Sequence, residues 1–265
     1  MDFTFKSRYH IEDLLEIMRM LRGEGGCPWD REQTHQSIRK NFLEETYEVL
    51  EAIDNNDPVL LREELGDVLL QVVFHAQMED EIDRFNFDDV ANDICVKLIE
   101  RHPHIFGTVE ADNADEVLKN WEEIKKKQKG QTTQTETLRA VPSVLPALMR
   151  SAKVQHRAAR TGFDYPDITG ALSDLKSELG ELEDAIAAGD HDAVDEELGD
   201  LLFAAVNVSR FAKLDAEYSL SRSTEKFIER FSQVEALANE KGIDMKTAGI
   251  DNLNELWAEA KRQLA

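Results

Sequence analysis

Four carboxylates recur in this chain at one fixed offset. Glu45, Glu48, Glu64 and Asp67 form the first set, and Glu178, Glu181, Glu197 and Asp200 the second, each 133 positions later. Both sets read Glu-x-x-Glu, a gap of fifteen residues, then Glu-x-x-Asp. One acidic cluster in an acidic protein constrains little. Two with the same internal spacing require a duplicated unit. Residues three apart share nearly the same face of a helix. The pattern therefore predicts two copies of an antiparallel helix pair, each turning two acidic pairs toward one another.

The duplication reaches past the acids. Aligned without gaps, 43–74 and 176–207 share 12 identical positions of 32. Downstream, Lys97 and Arg101 are echoed by Lys226 and Arg230, and Trp121 followed by Lys125 is echoed by Trp257 followed by Lys261. Each half thus carries acids, a Lys/Arg pair four apart, then a Trp, in the same order.

The periodicity of the apolar residues is helical throughout, and no strand alternation stands out. Helices are expected at 11–21, 42–53, 58 to about 78, 88–101, 115–128, 144–160, 172–188, 191–212, 216–240 and 252–263. Asp57-Pro58 is a helix start, with Asp as N-cap and Pro at the first helical position. Gly189-Asp190 marks the corresponding turn in the second copy. GEGGCPWD (23–30) reads as a loop. The polar, apolar-poor stretch through Gly130 predicts a linker. The expected organisation is an all-α fold with modules at 1–130 and 143–265, joined by a linker at 131–142.

The 265 residues carry a formal charge of −23, which repels phosphate backbones and argues against general nucleic-acid binding. Two cysteines, Cys27 and Cys95, are too few for a disulfide framework and fit a reducing compartment. The opening residues lack an apolar signal core, and no run approaches the roughly 18 apolar residues of a membrane span. A cytoplasmic protein without membrane partners is expected.

The acids sit beside apolar residues: Asp67 within LGDVLLQVVF and Asp200 within LGDLLFAAV. A carboxylate so close to a core is costly unless paired or coordinated. Two like charges 4 Å apart repel by roughly 4 kcal/mol at an effective dielectric near 20. Convergent carboxylates therefore call for cations, and an all-oxygen donor set selects Mg²⁺ or Mn²⁺ over Zn²⁺. A di-iron bundle needs Glu-x-x-His, which neither copy has. Cations held this way commonly bind phosphates. The Lys97/Arg101 and Lys226/Arg230 pairs are either further phosphate contacts or surface pairs matched to nearby acids. Trp121 and Trp257 either stack on a base or close a terminal helix onto the core. His102-Pro103-His104 reads as a loop after a helix, and Cys27 lacks the partner spacing of a zinc site.

Glu44-Glu45-x-x-Glu48 followed by Glu64-Leu65-Gly66-Asp67 resembles the signature of the MazG nucleoside triphosphate pyrophosphohydrolases. GCPWD (26–30), RHPHIFG (101–107), SVLPALMR (143–150), GFDY (162–165), KFIERF (226–231) and LWAEAKRQ (256–263) are similar to MazG segments too. The resemblance covers nearly the whole chain and is to the long, two-module bacterial type. It implies an all-α intertwined homodimer that hydrolyses nucleoside triphosphates of many bases, ribo and deoxy, to monophosphate and pyrophosphate with Mg²⁺. It further implies that the C-terminal module is the active one. Glu178, Glu181, Glu197 and Asp200 would be metal ligands, Lys226 and Arg230 phosphate contacts, and Trp257 the nucleoside contact.

The chain departs from the pattern at three places. Ser177 stands where the first module has Glu44, and Asp174 and Ala193 stand where family members can carry lysines. Lys176 is a substitute for one of those. The first module keeps every acid, so Glu45, Glu48, Glu64 and Asp67 are metal-site candidates as well, with Lys97, Arg101 and Trp121 as their substrate contacts. The rivals are a narrower dUTP diphosphatase-like enzyme and a nucleotide- and Mg²⁺-binding regulatory protein with little turnover.

Overall fold

A computed structural model describes residues 3–107, 113, 117, 121, 124 and 132–264. Among these residues all regular structure is helical. The chain divides into two compact units, Met1–Lys125 and Lys126–Ala265.

The first unit begins with α1 (Ile11–Arg22), the one-turn α2 (Pro28–Glu32), α3 (Arg39–Asp54), α4 (Pro58–Asp80), α5 (Phe87–Arg101) and the short α6 (Pro103–Phe106). Helices α3 and α4 form an antiparallel hairpin. As the sequence predicts, α4 starts at Asp57-Pro58: the Asp57 carboxylate accepts from the backbone N–H groups of Val59 and Leu60 at 2.9 and 3.1 Å. Its core is built from Met18 of α1, Ile38, and Val73, Phe74 and Met78 of α4. Leu14, Leu15 and Leu70 pack against that cluster, so the apolar stripe of α1 lies on α4.

One polar cluster ties the segment before α3 to the far end of α4. His35 Nε2 lies 2.6 Å from Glu79 Oε1, and its Nδ1 lies 2.6 Å from His75 Nδ1. The two rings are parallel within 3°, and Phe42 of α3 lies against His75. Arg84 reaches the other Glu79 oxygen at 3.4 Å.

The second unit comprises α7 (Gln134–Arg139), α8 (Ala147–Ala159), α9 (Ile168–Ala188), α10 (His191–Phe211), α11 (Ala216–Glu240) and α12 (Gly249–Gln263). Helices α9 and α10 form the second hairpin. Gly189 closes α9 in the left-handed conformation at φ 70°, which a side chain would strain. Asp190 then caps α10 by accepting from the backbone N–H groups of Asp192 and Ala193. Helix α8 packs on α10, where Gln155 Nε2 donates to the Phe203 carbonyl at 2.7 Å. Helices α11 and α12 make a further hairpin around Val234, Leu237, Ala238, Leu256 and Ala260.

The sequence differs from the structure mainly in short elements. Pro28–Glu32 is helical and overlaps the end of the expected 23–30 loop, because Pro28 occupies the first helical position. Residues 134–139 of the expected linker form α7, whose start is a capping box between Thr133 and Glu136. Arg157 of α8 donates to the Thr137 carbonyl, so α7 belongs with the second unit. The helix expected over 115–128 lies largely outside the described residues.

Two outcomes are expected. Asp190→Ala removes the α10 cap and should lower stability by about 1 kcal/mol in urea unfolding. Burial first, then the neighbouring His35, holds His75 below its ordinary 6.5. A base depressed in the folded state contributes stability above its unfolded pKa, and that contribution is lost as pH falls from 6.5 through the lowered value. Thermal unfolding should therefore fall more steeply from pH 7 to pH 5 in the parent than in His75→Gln.

Candidate metal and nucleotide site

The hairpins position the acids. In the first, Glu45 and Glu48 project from α3, and Glu64 and Asp67 from α4. One carboxylate oxygen each from Glu45, Glu48 and Glu64 lies within 4.8 Å of the others. In the second hairpin the matching trio is Glu178, Glu197 and Asp200, again within 4.8 Å. The two trios are not the same three positions. Asp67 lies outside the first, and Glu181 outside the second.

The electrostatics of both are those of crowded acids. Burial raises Glu64, which is 9% exposed, and the charges of Glu48, Asp67 and Glu63 raise it further. Glu45 is raised by burial, then by its contact with Glu48 and the nearby acids. Glu178 is raised by burial and by Glu181, Asp200, Asp174 and Glu197. Glu197 is raised by burial and by Glu181, Asp200 and Glu196. Among the described residues, no Lys or Arg forms an ion pair with either trio. Oxygen atoms converging without a protein cation fit a hard divalent metal ion. The donor set excludes the soft ligands that thiolate-preferring metals require.

The other candidates have defined places. In the second unit, Lys176 and Lys226 are exposed and Arg230 is half-buried. Among the described residues, no ion pair or hydrogen bond joins Lys226 or Arg230 to the acids. Trp257 is half-buried, packs against the α11–α12 core, and its ring lies 5.2 Å from that of Phe227, the neighbour of Lys226. In the first unit Lys97 is exposed, and the Arg101 guanidinium lies over the Trp121 ring at 5.1 Å. Each Trp is thus brought against the helix that carries the Lys/Arg pair. His102 and His104 belong to no group of metal-ligand spacing among the described residues.

The structure adds Tyr165, which sequence reasoning gave no role. Burial raises its hydroxyl pKa, and contact with the Asp174 carboxylate, then the Glu178 charge, raises it further. A Cβ at Gly170 would lie 3.0 Å from the Tyr165 side chain, so the small residue admits the ring. The GFDY run was the available signal. Its Asp164 is clamped by the Arg210 guanidinium at the end of α10, which fixes the turn before α9.

Two segments, 33–106 and 168–235, match the model of the MazG nucleotide pyrophosphohydrolase domain, and each contains one complete acidic hairpin. The chain belongs to the MazG family. It is 44% identical to the nucleoside triphosphate pyrophosphohydrolase of Escherichia coli K12 over 256 residues, 96% of this chain and 97% of that one. It is 42% identical to the Thermotoga maritima nucleoside triphosphate pyrophosphohydrolase/pyrophosphatase MazG over 251 residues, 95% of each. A Bacillus subtilis protein, YabN, is 43% identical over 97% of this chain, which spans 53% of YabN. The two MazG domains account for the duplication read from the acids.

The raised carboxylates carry a sign that can be tested. An acid whose folded pKa is raised contributes stability below its unfolded pKa, and loses it as pH rises through the raised value. In chelator, Glu64→Gln should therefore gain thermal stability relative to the parent as pH rises from 4.5 to 7. Added Mg²⁺ should shrink or reverse that gain at pH 7. A difference that is flat with pH contradicts the reading of Glu64 as an uncompensated acid.

Proposed function

We propose that this MazG protein hydrolyses nucleoside triphosphates to the monophosphate and pyrophosphate, with Mg²⁺ as cofactor and Mn²⁺ as a substitute. The observation that carries the reading is the paired convergence of carboxylates, without a protein cation, in each of two family domains. The names of the Escherichia coli and Thermotoga maritima relatives support the same reaction.

The favoured catalytic module is the second. Glu178, Glu181, Glu197 and Asp200 hold the cation, and three of them, Glu178, Glu197 and Asp200, already have oxygens within 4.8 Å of one another. Bound there, Mg²⁺ supplies charge neutralisation for the triphosphate and makes water easier to deprotonate. Glu178 or Glu181 accepts the proton from the attacking water. Lys226 and Arg230, with Lys176, offset the charge of the phosphates. Trp257 offers an aromatic face to the base, a contact that tolerates many bases because every base has a π-face. The first module holds a cation on Glu45, Glu48, Glu64 and Asp67, with Lys97, Arg101 and Trp121 as its matching contacts.

The rest of the setting follows the same reading. Apolar side chains stand exposed along the second hairpin, among them Leu179, Leu198, Leu202 and Phe203, which supports a homodimer that covers them. Both cysteines are free, which fits a reducing cytoplasm. No helix among the described residues is long and apolar enough to cross a membrane. The strongly negative charge disfavours nucleic acid as a partner.

The test is pyrophosphate release with Mg²⁺ across the common ribo- and deoxynucleoside triphosphates. Glu197→Gln should lower turnover by about 100-fold or more, the scale of a positioned catalytic group. Glu64→Gln should cost at least tenfold less than that, on the order of a secondary site. The reverse ranking assigns catalysis to the first module. Mg²⁺-dependent nucleotide binding without pyrophosphate release marks a regulatory binding protein instead.

A further inference from the structure

We propose that the basic face of α8 is an electrostatic guide, which concentrates the anionic metal–nucleotide substrate at the second module without being one of its binding contacts. This rests on the hydrolysis proposed above and concerns how the substrate of that reaction reaches its site.

A chain with a formal charge of −23 repels a nucleoside triphosphate, which stays anionic even with one Mg²⁺ bound. The acids are not spread evenly. Of 54 Asp and Glu residues, none falls between Thr137 and Phe163, a run that contains Arg139, Arg150, Lys153, Arg157 and Arg160. Helix α8 occupies the middle of that run. Positions 150, 153, 157 and 160 advance by three, four and three residues, so their side chains share one face. Arg150, Lys153 and Arg160 are exposed. The opposite face carries Gln155, which is buried and donates to the Phe203 carbonyl of α10.

The basic face keeps its charge. Arg157 donates to the Thr137 carbonyl, a neutral acceptor. Among the described residues, neither Arg150 nor Lys153 forms an ion pair. Two acids, Asp215 and Glu217, share a surface cavity with Lys153 and offset part of the field. Both are fixed by backbone groups. Asp215 accepts from the Tyr218 N–H at 2.9 Å, and Glu217 from the Met149 N–H at 3.2 Å.

The placement suits a guide. Helix α8 packs on the helix that carries Glu197 and Asp200, and its contact at Phe203 lies three residues past Asp200, about 4.5 Å along the axis. Packed helices lie roughly 8–10 Å apart. The basic face is thus on the order of 15 Å from the acids, too far to touch a metal-bound phosphate but within reach of its field at low ionic strength.

The first module has no such face. Its α1 packs on α4 in the corresponding place, but carries Glu12, Asp13 and Glu16 against Arg19 and Arg22. Arg22 is moreover tied to Glu81 at 2.7 Å. An attractive approach on one module only supports the second as the working one.

The experiment measures pyrophosphate release from ATP at constant Mg²⁺ while KCl is varied. It compares the full-length parent with the charge reversal Arg150→Glu/Lys153→Glu and the charge-conserving Arg150→Lys/Lys153→Arg. At about 20 mM KCl, where the Debye length is roughly 20 Å, the reversal should lower kcat/KM about 5-fold with kcat unchanged. At about 500 mM, where that length is roughly 4 Å, reversal and parent should agree. The charge-conserving variant should follow the parent throughout. Mn²⁺ alone should bind the nucleotide-free reversal at least as tightly as the parent, because removing positive charge favours a cation. Parental kcat/KM at low salt, a loss that persists at high salt, an equal loss of kcat, a matching loss in the charge-conserving variant, or weaker Mn²⁺ binding overturns the guide while leaving the hydrolysis intact. A parent that releases no pyrophosphate overturns the hydrolysis itself.

Discussion

The structure depends on bringing like charges together. Each hairpin places three carboxylate oxygens within 4.8 Å of one another. Two such charges repel by several kcal/mol at a protein surface. Nothing in the acids themselves favours that arrangement, so the hairpins must impose it. They do so through Met18, Val73, Phe74 and Met78 in the first unit, and through α8 braced on α10 by Gln155 in the second. Packing energy holds the acids in a geometry that a bound divalent cation would relieve.

The parts of this arrangement that the sequence made legible are those set by periodicity and local chemistry. The Glu-x-x-Glu and Glu-x-x-Asp spacings place each pair on one helix face. Asp57-Pro58 and Gly189-Asp190 mark the turns because capping and left-handed glycine are local requirements, indifferent to the rest of the fold. The long helices follow their apolar stripes to within a few residues. The short ones did not show: α2, α6 and α7 have 5, 4 and 6 residues, less than two turns, so they present no period to read. They exist because Pro28, Pro103 and the Thr133 capping box start them.

The site was legible to the level of residue type and not to the level of rotamer. Spacing placed all four acids together, but which three converge differs between the modules. Side-chain contacts such as that of Ser177 with Glu181 are of a kind that no periodicity reports. The departure at Ser177 was visible as a letter, whereas its hydrogen bond was not. Tyr165 is similar: its contact with Asp174 spans a turn and a helix, and its only trace in the sequence is the GFDY run. The His35–His75–Glu79 cluster joins residues 40 and 44 positions apart and left no motif at all.

The caps that begin α4 and α10 have a role beyond ending a turn. Asp57 stands seven residues before Glu64, and Asp190 seven before Glu197. Seven residues are close to two helical turns, so each cap lies on the same side of its helix as the acid it precedes. The cap is therefore an angular origin. A residue added within the turn changes the path of the chain but leaves that origin and the acid in phase. A residue added between cap and acid rotates the acid by about 100° and advances it by about 1.5 Å. The duplicated hairpins can thus tolerate drift in their turns while remaining intolerant of it over the first two turns of the second helix.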